Sequence, residues 1–536
     1  MSLSAKIVYP YQTDYTPNFY HTIRMNCNYV VDGLKEKVDS WDNRNPILID
    51  APTGSGKNTF IREVCIPHAL QSGKNILIVS NRIALSTQQK KMIMKDIDSP
   101  LIETLTEKGI QKQEDFGNVR IVTYHRLKAF ADAGENAEWI SRLKYVIMDE
   151  VHFFTSDCLF NEFCGGILNM IPRKFWQAVR IYMTATSSEV LYPLKEAEKE
   201  KYHQLDWKMG VYYGPRQIIR YFFPRNFENY KVNFVKDSDK LFEQISNTVN
   251  EKWLVFVNSK KTGKELEEKL GNKADYIDAD NKNTEAWKAV VNNEKFDKQV
   301  LITTSVLDCG VNISDPQLKN IAVMTDNEVS FLQMIGRKRT QSNEKINIWV
   351  LDIDKDTAEK RYVKYKELSD WCYKFDCCKN TGCLNEFLSK IWTAEDLRLR
   401  KLFGVKNGTV FKNELADLTI TRREEFYRKI CDGETTFRRE VCKWLHKEDV
   451  LMNKYEKLFK FCDDYSDKEL EDEECAALRK LILEACEEKS IKEAQPKRMD
   501  SLGIQALNNR LELLEVAYKI QSVNSKWIIT NTEVNR

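Results

Sequence analysis

The chain has 536 residues, of which 42% are hydrophobic, and its formal net charge is +2. This length suffices for about three or four domains with buried cores. The near-neutral charge excludes a polycation, so any surface that binds nucleic acid has to be a local patch.

The cysteines and the lengths of the apolar runs indicate the cellular compartment. Fourteen cysteines are scattered along the chain, which favours reduced thiols in a cytosol over a disulfide framework. The first residues, MSLSAKIVYPYQTDY, contain no apolar run of signal-peptide length. Apolar runs such as NILIVS are too short to cross a bilayer. We therefore expect a soluble, cytoplasmic protein with no membrane partner.

Short apolar runs alternate with amphipathic segments from about residue 46 onward. The runs PILID, NILIVS, VRIVTY, KYVIMD and VRIYMTAT are typical of buried strands. Between the first two, Phe60, Ile61 and Val64 share one face of a predicted helix. Strands that alternate with helices in this way indicate a parallel sheet of the α/β class.

A second set of apolar runs predicts another parallel sheet: KWLVFVNS, ADYIDAD, QVLITTSV, KNIAVMT and KINIWVLD. Beyond residue 356 the strand signal fades, and long charged and aromatic segments of helical character follow. We therefore expect two tandem α/β domains, residues 1–205 and 206–355, followed by a mainly α-helical C-terminal module, residues 356–536.

The stretch PILIDAPTGSGKNTF has the pattern of a phosphate-binding loop. A glycine-rich turn between a strand and a helix directs backbone N–H groups at phosphates, and the helix N-terminus adds a favourable dipole. Gly54 and Gly56 permit the turn, and Lys57 supplies positive charge for the β- and γ-phosphates. We therefore expect nucleotide binding here, by Thr53, Gly54, Ser55, Gly56, Lys57, Asn58 and Thr59.

The run YVIMDEVHFF places two adjacent carboxylates, Asp149 and Glu150, at the end of an apolar strand. At the carboxyl edge of a parallel sheet they would face the phosphate-binding loop. Asp149 can hold Mg²⁺ through water, and Glu150 can polarise an attacking water. Taken alone, the pair is also compatible with an ordinary acidic strand end.

Together, APTGSGK and DEVH resemble the first two signature motifs of superfamily 2 helicases of the DExH type. Further segments resemble the other motifs of that family in order: VSNRIALSTQ, IVTYHRL, MTAT, VFVNSKKTGKEL, TTSVLDCGVNI and FLQMIGRKR. The resemblance spans residues 46 to 340 and implies two RecA-like domains that use ATP and Mg²⁺. It implies nucleic-acid contacts by Arg82, Thr123, Asn258, Ser259 and Thr304, cofactor binding by Gly310 and Asn312, coupling by His152, Thr184 and Thr186, and catalysis by Asp149, Glu150, Gln333, Arg337 and Arg339.

The sequence departs from the family pattern in three places. Asn58 follows the lysine where the family has a hydroxyl for Mg²⁺, and Thr59 comes one residue late; Asn58 and Asp149 are therefore the candidate metal ligands. The last arginine of the sixth motif is expected at Thr340 but stands one residue earlier, at Arg339. No upstream glutamine motif of the DEAD-box kind is found, which fits the DExH type and leaves adenine specificity open.

The candidate residues lie on both α/β units, so ATP would be hydrolysed only when the units close around it. Closure and opening would move the contacts to nucleic acid relative to each other. We therefore predict an ATP-dependent helicase or translocase that binds phosphate and sugar without reading sequence. Its partner is single-stranded or partly duplex nucleic acid, with DNA slightly favoured over RNA.

Two alternatives remain open at this point. Asn58 and the displaced arginine support a clamp or scaffold that binds ATP and barely hydrolyses it. The second alternative is a translocase that remodels protein–nucleic-acid complexes without separating strands.

The C-terminal third contains clusters of basic and aromatic residues, such as RYVKYKELSDWCYKF and FRREVCKWLHK. Such clusters suit a single strand through charge and stacking, but amphipathic helices with inward aromatic side chains are the favoured interpretation. Four thiols at Cys372, Cys377, Cys378 and Cys383 could hold zinc. Because their spacing is not that of paired C-x-x-C motifs, buried free cysteines are the expectation.

Overall fold

The computed structural model describes residues 19–80, 83–97, 99, 104–199, 217–281, 284–307, 311–340, 344–381, 383–393, 399–406, 409–447, 454–488, 502–514, 516–523 and 526–531. The chain forms two compact units, residues 1–437 and residues 438–536.

Eight strands form a sheet in the N-terminal part of the chain, the first sheet. They are β1 (Tyr20–Arg24), β2 (Ile47–Asp50), β3 (Asn75–Ser80), β4 (Asp115–Phe116), β5 (Val119–Thr123), β6 (Leu143–Met148), β7 (Val179–Thr184) and β8 (Ile218–Phe222). Their order is β1-β8-β2-β7-β6-β3-β5-β4. All neighbours pair in parallel except β4 with β5. The carboxyl ends of the parallel strands therefore meet at one edge, where α/β sheets bind ligands.

Six strands form the second sheet. They are β9 (Tyr230–Val235), β10 (Lys252–Phe256), β11 (Ala274–Ile277), β12 (Val300–Thr303), β13 (Leu318–Val323) and β14 (Ile346–Leu351). Their order is β11-β12-β10-β13-β14-β9, and every pair is parallel. The predicted fold class, two tandem parallel-sheet domains of the RecA-like kind, is confirmed.

Helices join these strands. In the first domain they are α1 (Val30–Leu34), α2 (Lys57–Phe60), α3 (Ile66–Gln71), α4 (Ile83–Asp96), α5 (Glu107–Lys112), α6 (Tyr124–Asp132), α7 (Ala137–Ser141), α8 (Phe153–Ser156) and α9 (Cys164–Lys174). In the second they are α10 (Ser238–Asn247), α11 (Lys260–Leu270), α12 (Glu285–Asn293) and α13 (Glu328–Ile335). A π-helical turn, Ile61–Cys65, joins α2 to α3, next to Pro67, which has no N–H for an α-helical bond.

The predicted strands form because their apolar runs are buried on both faces of the sheets. All six residues of β3 and all four of β2 are buried, as parallel sheets between two helical layers require. The first sheet also contains β1 and β8, which the periodicity did not predict. Because β8 pairs with β2 in this sheet, the domain boundary expected after residue 205 falls before a strand of the first domain.

The helices that follow the second sheet pack against the first domain. They are α14 (Lys355–Thr381), α15 (Leu384–Thr393), α16 (Leu399–Leu402) and α17 (Glu414–Cys431), with a small hairpin, β15 (Phe403–Lys406) and β16 (Thr409–Lys412). Their buried side chains, such as Phe375, Phe387 and Ile420, share one core with Tyr124 and Ile167 of the first domain. Residues 355–437 therefore belong to the first compact unit, and the predicted module 356–536 is divided at residue 437.

Helix α17 also contacts the second domain. Arg423 donates to both the carboxylate and the carbonyl oxygen of Asp326, at 2.5 and 2.6 Å, in the loop after β13. Arg361 of α14 and the Tyr427 hydroxyl bind the same carboxylate. Burial opposes ionisation of Asp326, but the charges of Arg423 and Arg361 hold its pKa below the ordinary value. One helix thus packs in the core of the first domain and holds a charged group of the second.

Part of the aromatic and cysteine clusters on α14 is buried in the core. Leu368, Cys372 and Phe375 of α14 are at most 3% exposed, as the amphipathic-helix interpretation requires. Cys377 and Cys383 are exposed, so the expectation of buried thiols is wrong for these two. Within the described part of the chain, no group of three or more His, Cys, Asp or Glu side chains could hold a metal ion.

The second compact unit has its own core, which includes Leu458, Leu478, Ile482 and Ile529. Helix α18 (Phe437–Trp444) spans its start; the later elements are α19 (Lys454–Asp464), β17 (Glu469–Leu470), α20 (Asp472–Glu488), α21 (Ile504–Leu513), β18 (Tyr518–Val523) and β19 (Lys526–Asn531). The three strands form an antiparallel sheet, so this region is not entirely helical. Among the described residues, no helix is long and apolar enough to cross a membrane.

Candidate active site

The phosphate-binding loop lies between β2 and α2, as predicted. Gly54 and Gly56 have φ angles of 88° and 79°, a conformation that favours glycine because it has no Cβ. The Lys57 ammonium donates to the carbonyl oxygens of Ala51 and Pro52, at 2.8 and 3.2 Å. These bonds fold the lysine back over its own loop, so its charge lies within the turn.

Lys57 is only 8% exposed. Burial lowers the pKa of its ammonium group below the ordinary value, Glu150 and Asp149 oppose this shift, and Arg339 and Arg337 add to it. The candidate residues of both sheets are therefore close enough to Lys57 to act on its charge. The charges of two carboxylates and two guanidinium groups thus act on one ammonium group.

The carboxylates follow β6 at the same edge of the first sheet. Asp149 is 2% exposed, and its N–H donates to the carbonyl oxygen of Val79 at 2.9 Å. The Tyr124 hydroxyl donates to the carbonyl oxygen of Asp149 at 2.9 Å. Glu150 has a φ of 52°, which is uncommon for a residue with a side chain and occurs often at functional sites.

The second sheet reaches this site through the segment after α13. A Cβ atom added to Gly54 would lie 2.1 Å from Nη1 of Arg339, so the guanidinium lies directly on the loop. A Cβ added to Gly336 would lie 2.9 Å from Cβ of Thr53. Burial, followed by the positive charge of Arg337, lowers the pKa of Arg339 to about 10. The two domains are therefore closed on each other at the loop.

Arg337 and Asn312 complete this side of the site. Arg337 is 4% exposed, and its Nε donates to the carbonyl oxygen of Gln333 at 3.1 Å. The amide oxygen of Asn312 accepts a hydrogen bond from Nη2 of Arg339 at 2.5 Å. The fifth and sixth predicted motifs thus meet at Arg339.

His152 joins three of the predicted motifs. Its ring nitrogens lie 2.6 Å from Nε2 of Gln333 and 3.2 Å from Oγ1 of Thr184. Its Nδ1 also lies 3.3 Å from a carboxylate oxygen of Glu150. The Thr184 hydroxyl in turn accepts from the N–H of Thr186 at 3.0 Å. A movement of the second domain at Gln333 therefore acts on a residue in contact with Glu150.

The remaining predicted residues lie at several places in the two domains. Asn58 and Thr59 are half-buried in the first turn of α2. Thr123 ends β5, four strands from β2 and so about 19 Å away at the usual strand spacing. Ser259 caps α11 by accepting from the N–H of Thr262 at 3.1 Å, and Asn258 beside it is exposed. Thr304 follows β12. Arg82 and Gly310 lie outside the described residues.

The sequence motifs do not include Tyr29, Asp50 or the two arginines that pair with Asp50. Tyr29 is 57% exposed, and its ring would lie 3.9 Å from a Cβ added to Gly56. Asp50, at the end of β2, is fully buried and ion-paired with Arg220 and Arg225, at 2.5 and 2.9 Å. Arg225 also donates to the carbonyl oxygen of Ala185 at 2.6 Å. An isolated tyrosine or a strand-end aspartate has no sequence pattern that marks it.

The loop is suited to a nucleoside triphosphate and its metal ion. Its two glycines hold left-handed conformations, and the buried Ser55 hydroxyl has no hydrogen-bond partner among the described residues. Asp149 follows β6, two strands from β2 at the same edge of the sheet, and Mg²⁺ prefers oxygen ligands such as carboxylates. Asp149 and Asn58 are thus the side chains available to hold the ion, and Lys57 is available for the phosphates.

A phosphate-binding loop and two carboxylates on one parallel sheet, closed by arginines from another, define a P-loop protein with two RecA-like domains. Residues 6–189 match the family model for the type III restriction enzyme, res subunit, and residues 236–339 match the helicase conserved C-terminal domain. The chain therefore contains both halves of a superfamily 2 helicase core.

Individual relatives are distant. The chain is 23% identical over 343 residues to the ATP-dependent RNA helicase DBP6 of Vanderwaltozyma polyspora, a match that covers 57% of this chain and 51% of that protein. It is 25% identical over 391 residues to helicase 22 of Sulfolobus islandicus filamentous virus, covering 63% and 66%. The matches thus span about half of the first relative and two thirds of the second.

Solved structures that resemble the chain include two with bound nucleic acid. The helicase MrfA bound to DNA matches with a TM-score of 0.42 and 18% identity, covering 62% of this chain and 50% of that one. Mss116p bound to single-stranded RNA and AMP-PNP matches with a TM-score of 0.44 and 13% identity, covering 78% and 92%.

Gly54→Ala tests the contact between the domains. The added methyl group would collide with Arg339, so we expect kcat for ATP hydrolysis to fall about a hundredfold or more, since an arginine that stabilises transferred phosphate contributes several orders of magnitude. Gly73→Ala is the matched control, with a φ of 62° and no atom within 4 Å of the added Cβ. It should cost about 1 kcal/mol of stability and leave kcat unchanged. Equal kcat values in the two variants would contradict the contact.

Proposed function

We propose that this protein is an ATP-dependent nucleic-acid helicase or translocase of the DExH type. The observation that supports it most is the contact of Arg339 and Gly336, from the second domain, with Gly54 and Thr53 of the phosphate-binding loop. A site assembled from two domains can couple nucleotide hydrolysis to domain movement, because ATP then binds the closed state better than the open one.

Each residue has a role that follows from its position. Lys57 binds the β- and γ-phosphates, and Glu150 orients and polarises the attacking water. Mg²⁺, held through Asp149 and Asn58, would neutralise charge on the phosphate oxygens. Arg337 and Arg339 stabilise the charge that develops on the transferred phosphoryl group, because Arg339 lies on the loop from the opposite domain and the charge of Arg337 acts on Lys57. The exposed ring of Tyr29, beside Gly56 of the loop, is our candidate for stacking on the base.

His152 transmits the state of the site. It contacts Glu150 and Thr184 of the first domain and Gln333 of the second. When the domains separate, Gln333 leaves the imidazole, and Glu150 loses the constraint that this contact imposes. Hydrolysis is thus confined to the closed state.

The nucleic-acid path is assigned to the carboxyl ends of strands β5, β10 and β12. Thr123, Asn258, Ser259, Thr304 and Arg82 are the contacts that we assign to it. Their hydroxyl, amide and guanidinium groups suit phosphate and sugar oxygens, and such contacts do not discriminate sequence. Single-stranded or partly duplex nucleic acid is therefore the substrate class.

Steady-state ATP hydrolysis by the full chain, with and without single-stranded DNA or RNA, tests this function. We expect one of the polymers to stimulate hydrolysis and Glu150→Gln to abolish it, because an amide cannot accept the water's proton. The variant should still bind ATP, since Lys57 and the loop are unchanged. Binding of ATP with no turnover on either polymer would contradict the proposal and identify a clamp.

Asn58→Thr examines the unusual residue of the loop. Because Glu150, Arg337 and Arg339 are all present, we expect the natural loop to be competent and the substitution to change kcat less than about tenfold, or 1.4 kcal/mol. The measurement is kcat with saturating ATP, Mg²⁺ and the stimulating polymer. A hundredfold increase would instead show that Asn58 impairs the natural enzyme.

A further inference from the structure

Lys338 lies between the two catalytic arginines of the sixth motif. Lys338 is only 3% exposed. Because lysine is almost never fully buried unless it is paired, its partners are informative. The family resemblance assigns it no role. Its contacts show what its position does for Arg337 and Arg339.

After a turn at Gly336 and Arg337, the backbone at Lys338 is no longer helical. Helix α13 ends at Ile335, and Lys338 forms a parallel bridge with Ile313. The N–H of Ile313 donates to the carbonyl oxygen of Arg337 at 2.8 Å, and the N–H of Arg339 donates to that of Ile313 at 3.0 Å. Alternate side chains of extended backbone point to opposite faces, so Arg337 and Arg339 share one face and Lys338 has the other.

The face opposite the arginines is anchored in the second domain. The Lys338 ammonium donates to the carbonyl oxygen of Asp315 at 2.8 Å and lies 3.0 Å from a carboxylate oxygen of Glu344. The same oxygen of Glu344 pairs with Lys319 at 2.9 Å. The Asp315 carboxylate is held separately by Lys252 at 2.8 Å. Lys338 is thus fixed to groups that are themselves ion-paired.

The contacts of Lys338 hold Arg337 and Arg339 together against their mutual repulsion. The charge of Arg337 contributes to the lowered pKa of Arg339, so the two guanidinium groups repel each other beside Lys57. If the segment of residues 337–339 shifted its register by one residue, Lys338 would face the nucleotide site and the two arginines would face the interior of the second domain. Such a shift would relieve the repulsion. It would also leave Glu344 without one of its two lysines, and breaking a buried ion pair is costly.

The same geometry accounts for the displaced arginine. In extended backbone, residues two apart lie on one face. An arginine at position 339 therefore lies on the same face as Arg337. Thr340, where the family pattern expects the last arginine, is exposed.

We propose that Lys338 is a positioning residue that sets the orientation of Arg337 and Arg339 toward the phosphate-binding loop. It touches no substrate. This inference rests on the proposed function, because its effect is exerted through the two arginines on ATP hydrolysis.

A double-mutant cycle tests it. The variants are Lys338→Met, Arg339→Ala and the combination, with kcat and KM for ATP measured on the full chain in the presence of the stimulating polymer. We expect Lys338→Met to lower kcat about thirtyfold or more, a part of what such an arginine contributes, with KM within about threefold. In the Arg339→Ala background the same substitution should change kcat less than about threefold, because coupled residues are not additive.

Two further variants keep the test informative if Lys338→Met folds poorly. Lys319→Met removes the other lysine from Glu344 without touching the arginine segment and should leave kcat unchanged. Glu344→Gln weakens the anchor while retaining its shape and should lower kcat only when Arg339 is present.

Loss of kcat that is equally large with and without Arg339 would overturn the proposal, as would full activity of Lys338→Met. Absence of turnover in the unmodified chain would instead contradict the proposed function itself, and the positioning role with it.

Discussion

The approach of the Arg339 guanidinium to the backbone of Gly54 is the contact on which the rest of the site depends. It requires a residue without a Cβ in the first domain, because an added Cβ would lie 2.1 Å from Nη1. It also requires a buried positive charge in the second domain, next to Arg337 and Lys57. Both requirements are met only when the segment after α13 lies on the loop that follows β2. The charges concentrated there make the site suited to polyphosphate.

The surrounding structure supports that closed arrangement from several directions. His152 contacts Gln333 across the domains, and Lys338 fixes the arginines on the second domain. Helix α17 packs in the core of the first domain and binds Asp326 of the second through Arg423 and Tyr427. Any opening of the two domains has to change these contacts together. Movement of the domains is therefore linked to the environment of Glu150.

The sequence predicted the parts of this arrangement that local chemistry determines. Buried parallel strands are continuous apolar runs, so β2, β3 and β6 were recognisable, as were the glycines and carboxylates at their ends. Strands β1 and β8 were not, because they are less continuously buried and pair across long separations. The anchoring of Lys338 by Glu344 and the packing of α17 on the first domain depend on tertiary contacts, which no local pattern marks.

We expect nucleotide binding to close the second domain onto the phosphate-binding loop. Fluorescence energy transfer between labels at Glu135 and Glu268, exposed positions of the first and second domains, measures this movement directly in the full chain. We expect a shorter distance when Glu150→Gln binds ATP and the stimulating polymer, and no shortening when Arg337 and Arg339 are both replaced by alanine. An unchanged distance in Glu150→Gln with ATP and polymer bound would contradict this expectation.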